Sequence, residues 1–140
     1  MPQHEEAASA INLIRLHSKL QKRIGAALSV HGIGLSDYLV LNQLYGATNQ
    51  RMRRSDLAEQ VGLSPSGVTR LLNPMEKVGL IAKEENPRDA RVSLVALTEA
   101  GKTIFEEARS SFELASVSLF EPLGSKRFSA FSELLEVVLR

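Results

Sequence analysis

The run Gly62-Leu63-Ser64-Pro65-Ser66-Gly67-Val68-Thr69-Arg70-Leu71-Leu72-Asn73 leaves this chain few folds to choose from. Gly62 can take the left-handed conformation that ends a helix. Ser64 suits an N-cap, because its hydroxyl can accept an orphan N–H of the following turn. Pro65 then occupies the first helical position, where its missing N–H costs nothing. Two helices separated by Gly62–Ser64 make a helix-turn-helix. At about 100° per residue, Val68, Leu71, Leu72, Met75 and Val78 gather on one face of the second helix. Ser66, Thr69, Arg70, Asn73 and Lys77 gather on the other, with Glu76 to the side. A solvated amphipathic face usually mixes both signs of charge. This one holds donors, two cations and an amide, the side chains suited to reading base edges in a major groove.

The rest of the chain arranges itself around that motif. Leu13, Leu16, Leu20, Ile24 and Leu28 recur at steps of three and four, so a long helix is expected over about 6–31, ended by Gly32-Ile33-Gly34. Ser36 is expected to cap a second helix, stapled by Leu35 and Val40 and ending near Tyr45. A polar loop from Ala47 to Arg54 holds Arg51, Arg53 and Arg54, readable either as solvated charge or as phosphate contacts. The first motif helix starts near Ser55. The second runs to about Val78, with Gly79 as its C-cap and a kink expected at Pro74, which frees the Arg70 carbonyl. Leu80–Glu84 reads as a strand, Glu85–Ala90 as a turn and Val92–Leu97 as the return strand. With Arg88 and Arg91 near its tip, this hairpin is a wing. Thr98 caps a helix whose Phe105, Ala108, Phe112, Ala115 and Leu119 keep the rhythm of a helix–helix seam. Pro122 and Gly124 break the chain, and Ser125 is expected to cap a last helix that buries Phe128, Phe131, Leu134, Leu135 and Val138.

Composition narrows the function. A chain of 140 residues with 44% apolar and 24% charged side chains is one ordinary soluble domain. No stretch is long enough to span a membrane, and the N-terminus is acidic rather than signal-like, so the expected location is the cytoplasm. With no cysteine, disulfides and thiolate metal sites are excluded. The net charge of +1 decides nothing, but residues 51–91 carry eight Lys/Arg against six Asp/Glu, a small basic excess where the motif lies. Of the three histidines, His17 and His31 stand ~21 Å apart along one helix and cannot share a metal. No nucleophile–base pair or phosphate loop is present. An enzyme is not expected, nor a metal or cofactor.

Two stretches carry a family resemblance. One is Leu57-Ala58-Glu59 with Val61-Gly62-Leu63-Ser64, then Val68-Thr69-Arg70-Leu71 and Glu76-Lys77-Val78-Gly79-Leu80-Ile81. The other is Asp89-Ala90-Arg91-Val92-Ser93-Leu94-Val95-Ala96-Leu97-Thr98-Glu99-Ala100-Gly101. Together they resemble the MarR family of winged-helix transcriptional regulators over essentially the whole chain. The helix-turn-helix part is shared by many repressors; the Asp-x-Arg wing running into Leu-Thr-x-x-Gly is the more specific.

The resemblance implies a mainly α fold: one domain, 1–140, with a winged helix-turn-helix lobe at 35–97, a two-stranded β wing, and long dimerisation helices at 5–32 and 99–140. It implies a homodimer, a palindromic double-stranded operator, repression as the expected mode, and release by a small aromatic or anionic ligand. By position, Ser66, Thr69 and Arg70 would face the major groove and Arg91 the minor groove, braced by Asp89. Ser64, Asn73, Lys77, Arg88, Arg53 and Arg54 complete the expected DNA-binding set. His17, Tyr38 and Tyr45 are the expected ligand-pocket residues. Leu13, Phe105, Phe112, Leu119, Phe128, Phe131 and Leu135 are those expected at the dimer seam. Two departures stand out: Pro74 in the recognition helix, and Glu84 with Glu85 at the wing base. The rival reading is a winged helix turned protein-interaction or structural module, in which the same residues are ordinary solvated side chains.

Overall fold

The structure is a computed structural model and describes residues 2–140. Its elements in order are α1 (Pro2–Ser29), α2 (Leu35–Gly46), a 3₁₀ turn (Thr48–Gln50), β1 (Arg51–Arg53), α3 (Arg54–Gln60) and α4 (Pro65–Lys77). After these come β2 (Ile81–Asn86), β3 (Asp89–Leu97), α5 (Glu99–Phe120), a second 3₁₀ turn (Glu121–Leu123) and α6 (Gly124–Leu139). They form two compact units, one comprising the chain up to Ala27 with Ser110–Arg140, the other Leu28–Arg109. Among the described residues no helix is long and apolar enough to cross a membrane.

The Leu28–Arg109 unit holds most of the core. Val40, Leu41 and Leu44 of α2, Leu57 of α3, and Val68, Leu72 and Met75 of α4 are buried with Ile81 and Val95 of the sheet. Each such side chain contributes about 1.5–3 kcal/mol when fully covered. The start of α2 differs from the expectation. Gly34, not Ser36, is the N-cap, and the Asp37 carboxylate accepts the Gly34 N–H at 2.9 Å. An acid at the third helical position can serve an orphan amide from the other side, so the serine is not needed. Helix α4 continues through Pro74 to Lys77.

The expected polar loop at 47–54 is instead a turn, a short strand and the beginning of α3. Strand β1 pairs antiparallel with β3, placing Arg51 opposite Ala96 and Arg53 opposite Leu94, so the sheet has three strands in the order β1-β3-β2. Three residues, Arg-Met-Arg, are too few to show a period, which is why sequence reasoning missed them. The β2–β3 hairpin runs in register from Ile81 opposite Leu97 to Glu85 opposite Ser93. Asn86 then pairs with Asp89 across a bulge, which leaves Ala90, Arg91 and Val92 without partners on β2.

The junction of α4, β2 and α5 explains the Leu-Thr-x-x-Gly motif. Thr98 Oγ1 donates to the Gly79 carbonyl at 2.6 Å and accepts the Gly101 N–H at 3.0 Å, while the Thr98 N–H reaches the Leu80 carbonyl at 3.2 Å. A Cβ on Gly101 would lie 2.1 Å from the Leu80 oxygen. Only glycine lets the helix lie against that backbone.

In the other unit, the Phe120 ring packs on Phe128 and Phe131, with centroids 5.2 and 5.8 Å apart. Ser125 does not cap α6, which begins at Gly124. Arg127 reaches back instead, donating to the Leu123 and Pro122 carbonyls at 2.7 and 3.1 Å. The expected buried side of α6 is open in the single chain: Leu134 is 63% and Val138 75% exposed. Ile11, Leu13, Ile14, Leu114 and Val117 are exposed as well. Phe105 and Leu119, expected at a seam between subunits, are covered within their own chain.

Candidate nucleic-acid interface

The turn before α4 is built as its sequence requires. Gly62 has φ +71°, its N–H reaches the Glu59 carbonyl at 3.2 Å, and the Leu63 N–H reaches that of Ala58 at 2.9 Å. This pair of bonds closes α3. Ser64 Oγ accepts the Gly67 N–H at 3.1 Å and lies 3.3 Å from Ser66 Oγ. With Val68, Leu72 and Met75 turned into the core, Ser66, Arg70, Asn73 and Lys77 are exposed.

Two residues of the expected reading face are already engaged. The Thr69 hydroxyl donates to the Pro65 carbonyl at 3.0 Å and accepts from the Arg54 guanidinium. Arg54 is thereby held against α4 rather than lying in a loop. Asn73 Oδ1 accepts from Lys83 Nζ of β2 at 3.0 Å, and the same ammonium lies 3.3 Å from the Glu76 carboxylate. Arg70 has no ion pair among the described residues.

At the wing, Asp89 Oδ1 accepts both the Arg91 N–H, at 3.0 Å, and Arg91 Nε, at 3.1 Å. A terminal guanidinium nitrogen reaches Oδ2 at 3.3 Å. These bonds to the Arg91 side chain and backbone, helped by the Arg53 charge, hold the Asp89 carboxyl below its ordinary pKa. Arg91 is nevertheless 90% exposed. Arg88 sits in the tip, its N–H donating to Asn86 Oδ1 at 2.9 Å. Glu84 is not a bare negative charge. Arg51 grips it by two bonds, 2.9 and 3.0 Å long, across the central strand, lowering the glutamate pKa and raising that of the arginine. Arg51 also donates to the Asn49 carbonyl at 3.2 Å. Neither Arg51 nor Lys83 was singled out as part of this arrangement by sequence reasoning, since neither pairing is local in the chain.

The expected pocket residues divide. Tyr38 is buried, and it and Tyr45 pack on Phe105, with centroids 5.1 and 4.7 Å apart. The Arg109 guanidinium, unnoticed in the sequence, lies over Tyr45 and Phe105 at 4.8 and 5.0 Å. Its hydrogen bond to Tyr45 raises its pKa, and its Nε is buried without a hydrogen-bond partner among the described residues. His17 is exposed on α1, in the other unit.

A capped recognition helix with an adjoining hairpin defines the winged helix-turn-helix class. Residues 31–92 match the MarR family model. The HTH-type transcriptional regulator PrsX of Escherichia coli is 27% identical over 88 residues, covering 63% of this chain and 53% of PrsX. The HTH-type transcriptional repressor MdtR of Bacillus subtilis is 30% identical over 97 residues, covering 69% of this chain and 61% of MdtR. The chain thus spans about half to three-fifths of the length of these relatives. A mutant MarR from E. coli, crystallised with operator DNA, superposes with a TM-score of 0.86 at 23% identity, covering 96% of each chain; that likeness concerns the fold. Over residues 31–92 the chain is thus similar to the MarR family, and the relatives it matches are named as HTH-type transcriptional regulators.

Proposed function

We propose that this protein is a sequence-specific DNA-binding transcriptional repressor that acts in the cytoplasm and grips a palindromic operator as a homodimer. One observation carries the reading. The unit that presents Ser66 and Arg70 on a capped helix also carries, at its wing, a 90% exposed arginine fixed in direction by Asp89. A helix fits a major groove, and a hairpin tip beside it meets the backbone or the adjacent minor groove, where a directed guanidinium finds the deepest negative potential. The wide apolar exposure of α1, α5 and α6 supports a second copy as partner, since patches of that extent mark interfaces.

The test is selection of duplexes from a random pool by the purified chain, followed by affinity measurement at several salt concentrations. The expected result is a two-fold symmetric consensus whose affinity falls steeply with salt. Retention with no consensus would leave a non-specific binder, and no retention would favour the interaction module.

A small aromatic anion as releasing ligand is supported by Arg109, whose buried Nε has no hydrogen-bond partner among the described residues and which lies beside Tyr45 and Phe105. Benzoate-type anions are expected to weaken operator binding by the wild type and not by Arg109→Met, read by titration against labelled operator.

A further inference from the structure

We infer that Asn73 is a specificity-determining residue that reads an acceptor-rich base edge, and that Lys83 of the wing is the positioning residue that sets its amide. The inference rests on the DNA-binding reading above and adds to it which base the amide selects. A free asparagine in a major groove favours adenine, because its oxygen accepts from N6 while its nitrogen donates to N7. Here the amide is not free. Lys83 Nζ lies 3.0 Å from one terminal atom of Asn73, and an ammonium has only hydrogens to offer. The atom facing it must therefore be the oxygen, which settles the amide orientation from chemistry alone. The Glu76 carboxylate, 3.3 Å from the same ammonium, holds the lysine in place from the other side. With its oxygen turned to β2, Asn73 presents its NH₂ outward from an exposed position on α4.

Two outward donors, with the oxygen turned away to Lys83, invert the usual preference. Guanine offers N7 and O6 and thymine offers O4, all acceptors. Adenine offers N7 but sets its own N6 donor against the amide, and cytosine offers only a donor. The expected order at the base pair under Asn73 is guanine or thymine above adenine, with cytosine last. The strand that fixes this choice belongs to the wing, so recognition helix and wing act together on one base.

The experiment measures affinity of the full chain for its selected operator with each of the four base pairs at every half-site position, for wild type, Asn73→Ala, Lys83→Met and Lys83→Arg. Asn73→Ala is expected to flatten the preference at one position per half-site, which identifies it. Wild type is expected to disfavour adenine there by about tenfold. Lys83→Met, which frees the amide to turn, is expected to recover adenine selectively, and Lys83→Arg, which keeps a donor in place, to restore the wild-type order. Equal weakening on all four bases in Lys83→Met would make the lysine a backbone contact and overturn the positioning role. A wild-type preference for adenine at the Asn73 position, or an Asn73→Ala profile unchanged everywhere, would overturn the inference while leaving operator binding intact. A wild type with no preferred sequence at all would overturn the DNA-binding reading instead.

Discussion

Among single side chains, the sharpest test lies at Asp89. Removing an acid from a DNA-facing surface ordinarily strengthens binding by relieving repulsion. Here the carboxylate carries three hydrogen bonds from Arg91, so Asp89→Ala is expected to weaken operator binding about as much as Arg91→Ala. Tighter binding in a filter or polarisation assay would show the acid to be a plain repulsive charge. Arg70→Ala is expected to cost ~1–3 kcal/mol of binding and to relax preference at one position per half-site. Gly101→Ala reports on the fold instead: its methyl must push the Leu80 carbonyl away, and ~1–3 kcal/mol of stability should vanish in a denaturant titration. Asp89 and Arg91 were legible as a pair because the Asp-x-Arg wing of the family resemblance sets them two residues apart. The engagement of Thr69 by Arg54, and of Asn73 by Lys83, was not legible. Both link residues ten or more positions apart, and helical periodicity says only which way a side chain leaves the helix.

The elements divide in the same way. Helices α1, α4 and α5 were readable to within a few residues because each is long enough to display its apolar rhythm, and the wing strands because turn formers separate two strand-like runs. Strand β1 had neither length nor pattern, yet it carries the arginine that neutralises Glu84. The pH dependence follows from that pair. The folded Glu84 pKa lies below its unfolded value, so its contribution is complete above the ordinary carboxylate range and is lost as acid protonates the folded carboxylate. Amide protection in β1 and β2, corrected for intrinsic exchange, is therefore expected to fall below roughly pH 4. In Arg51→Met the protection should already be reduced at neutral pH and show little further loss on acidification. Protection that is identical in wild type and variant across the range would assign the acid sensitivity elsewhere.

For the chain as a unit, the exposed apolar surface outweighs any other feature. Deleting residues 126–140 removes α6 and is expected to abolish dimerisation and folding together in sedimentation and circular dichroism. A truncated chain that sediments as a folded dimer would contradict this. If the chain pairs two-fold as proposed, operator half-sites are expected about one helical turn, ~10 bp, apart. The apolar rhythm of α5 was visible in the sequence, but periodicity could not tell that Phe105 and Leu119 are covered within their own chain while Leu114 and Val117 are left open. The threonine that begins α5 has a further importance. It bonds the backbone just past the recognition helix and the backbone at the root of the wing, and the next turn of α5 presses on that corner with no room for even one methyl group. Such a splice ties the first turn of α5 to the backbone that joins the helix to the strand, so a tilt of that turn is expected to carry both DNA-reading elements with it, as a lever arm carries what is bolted to it.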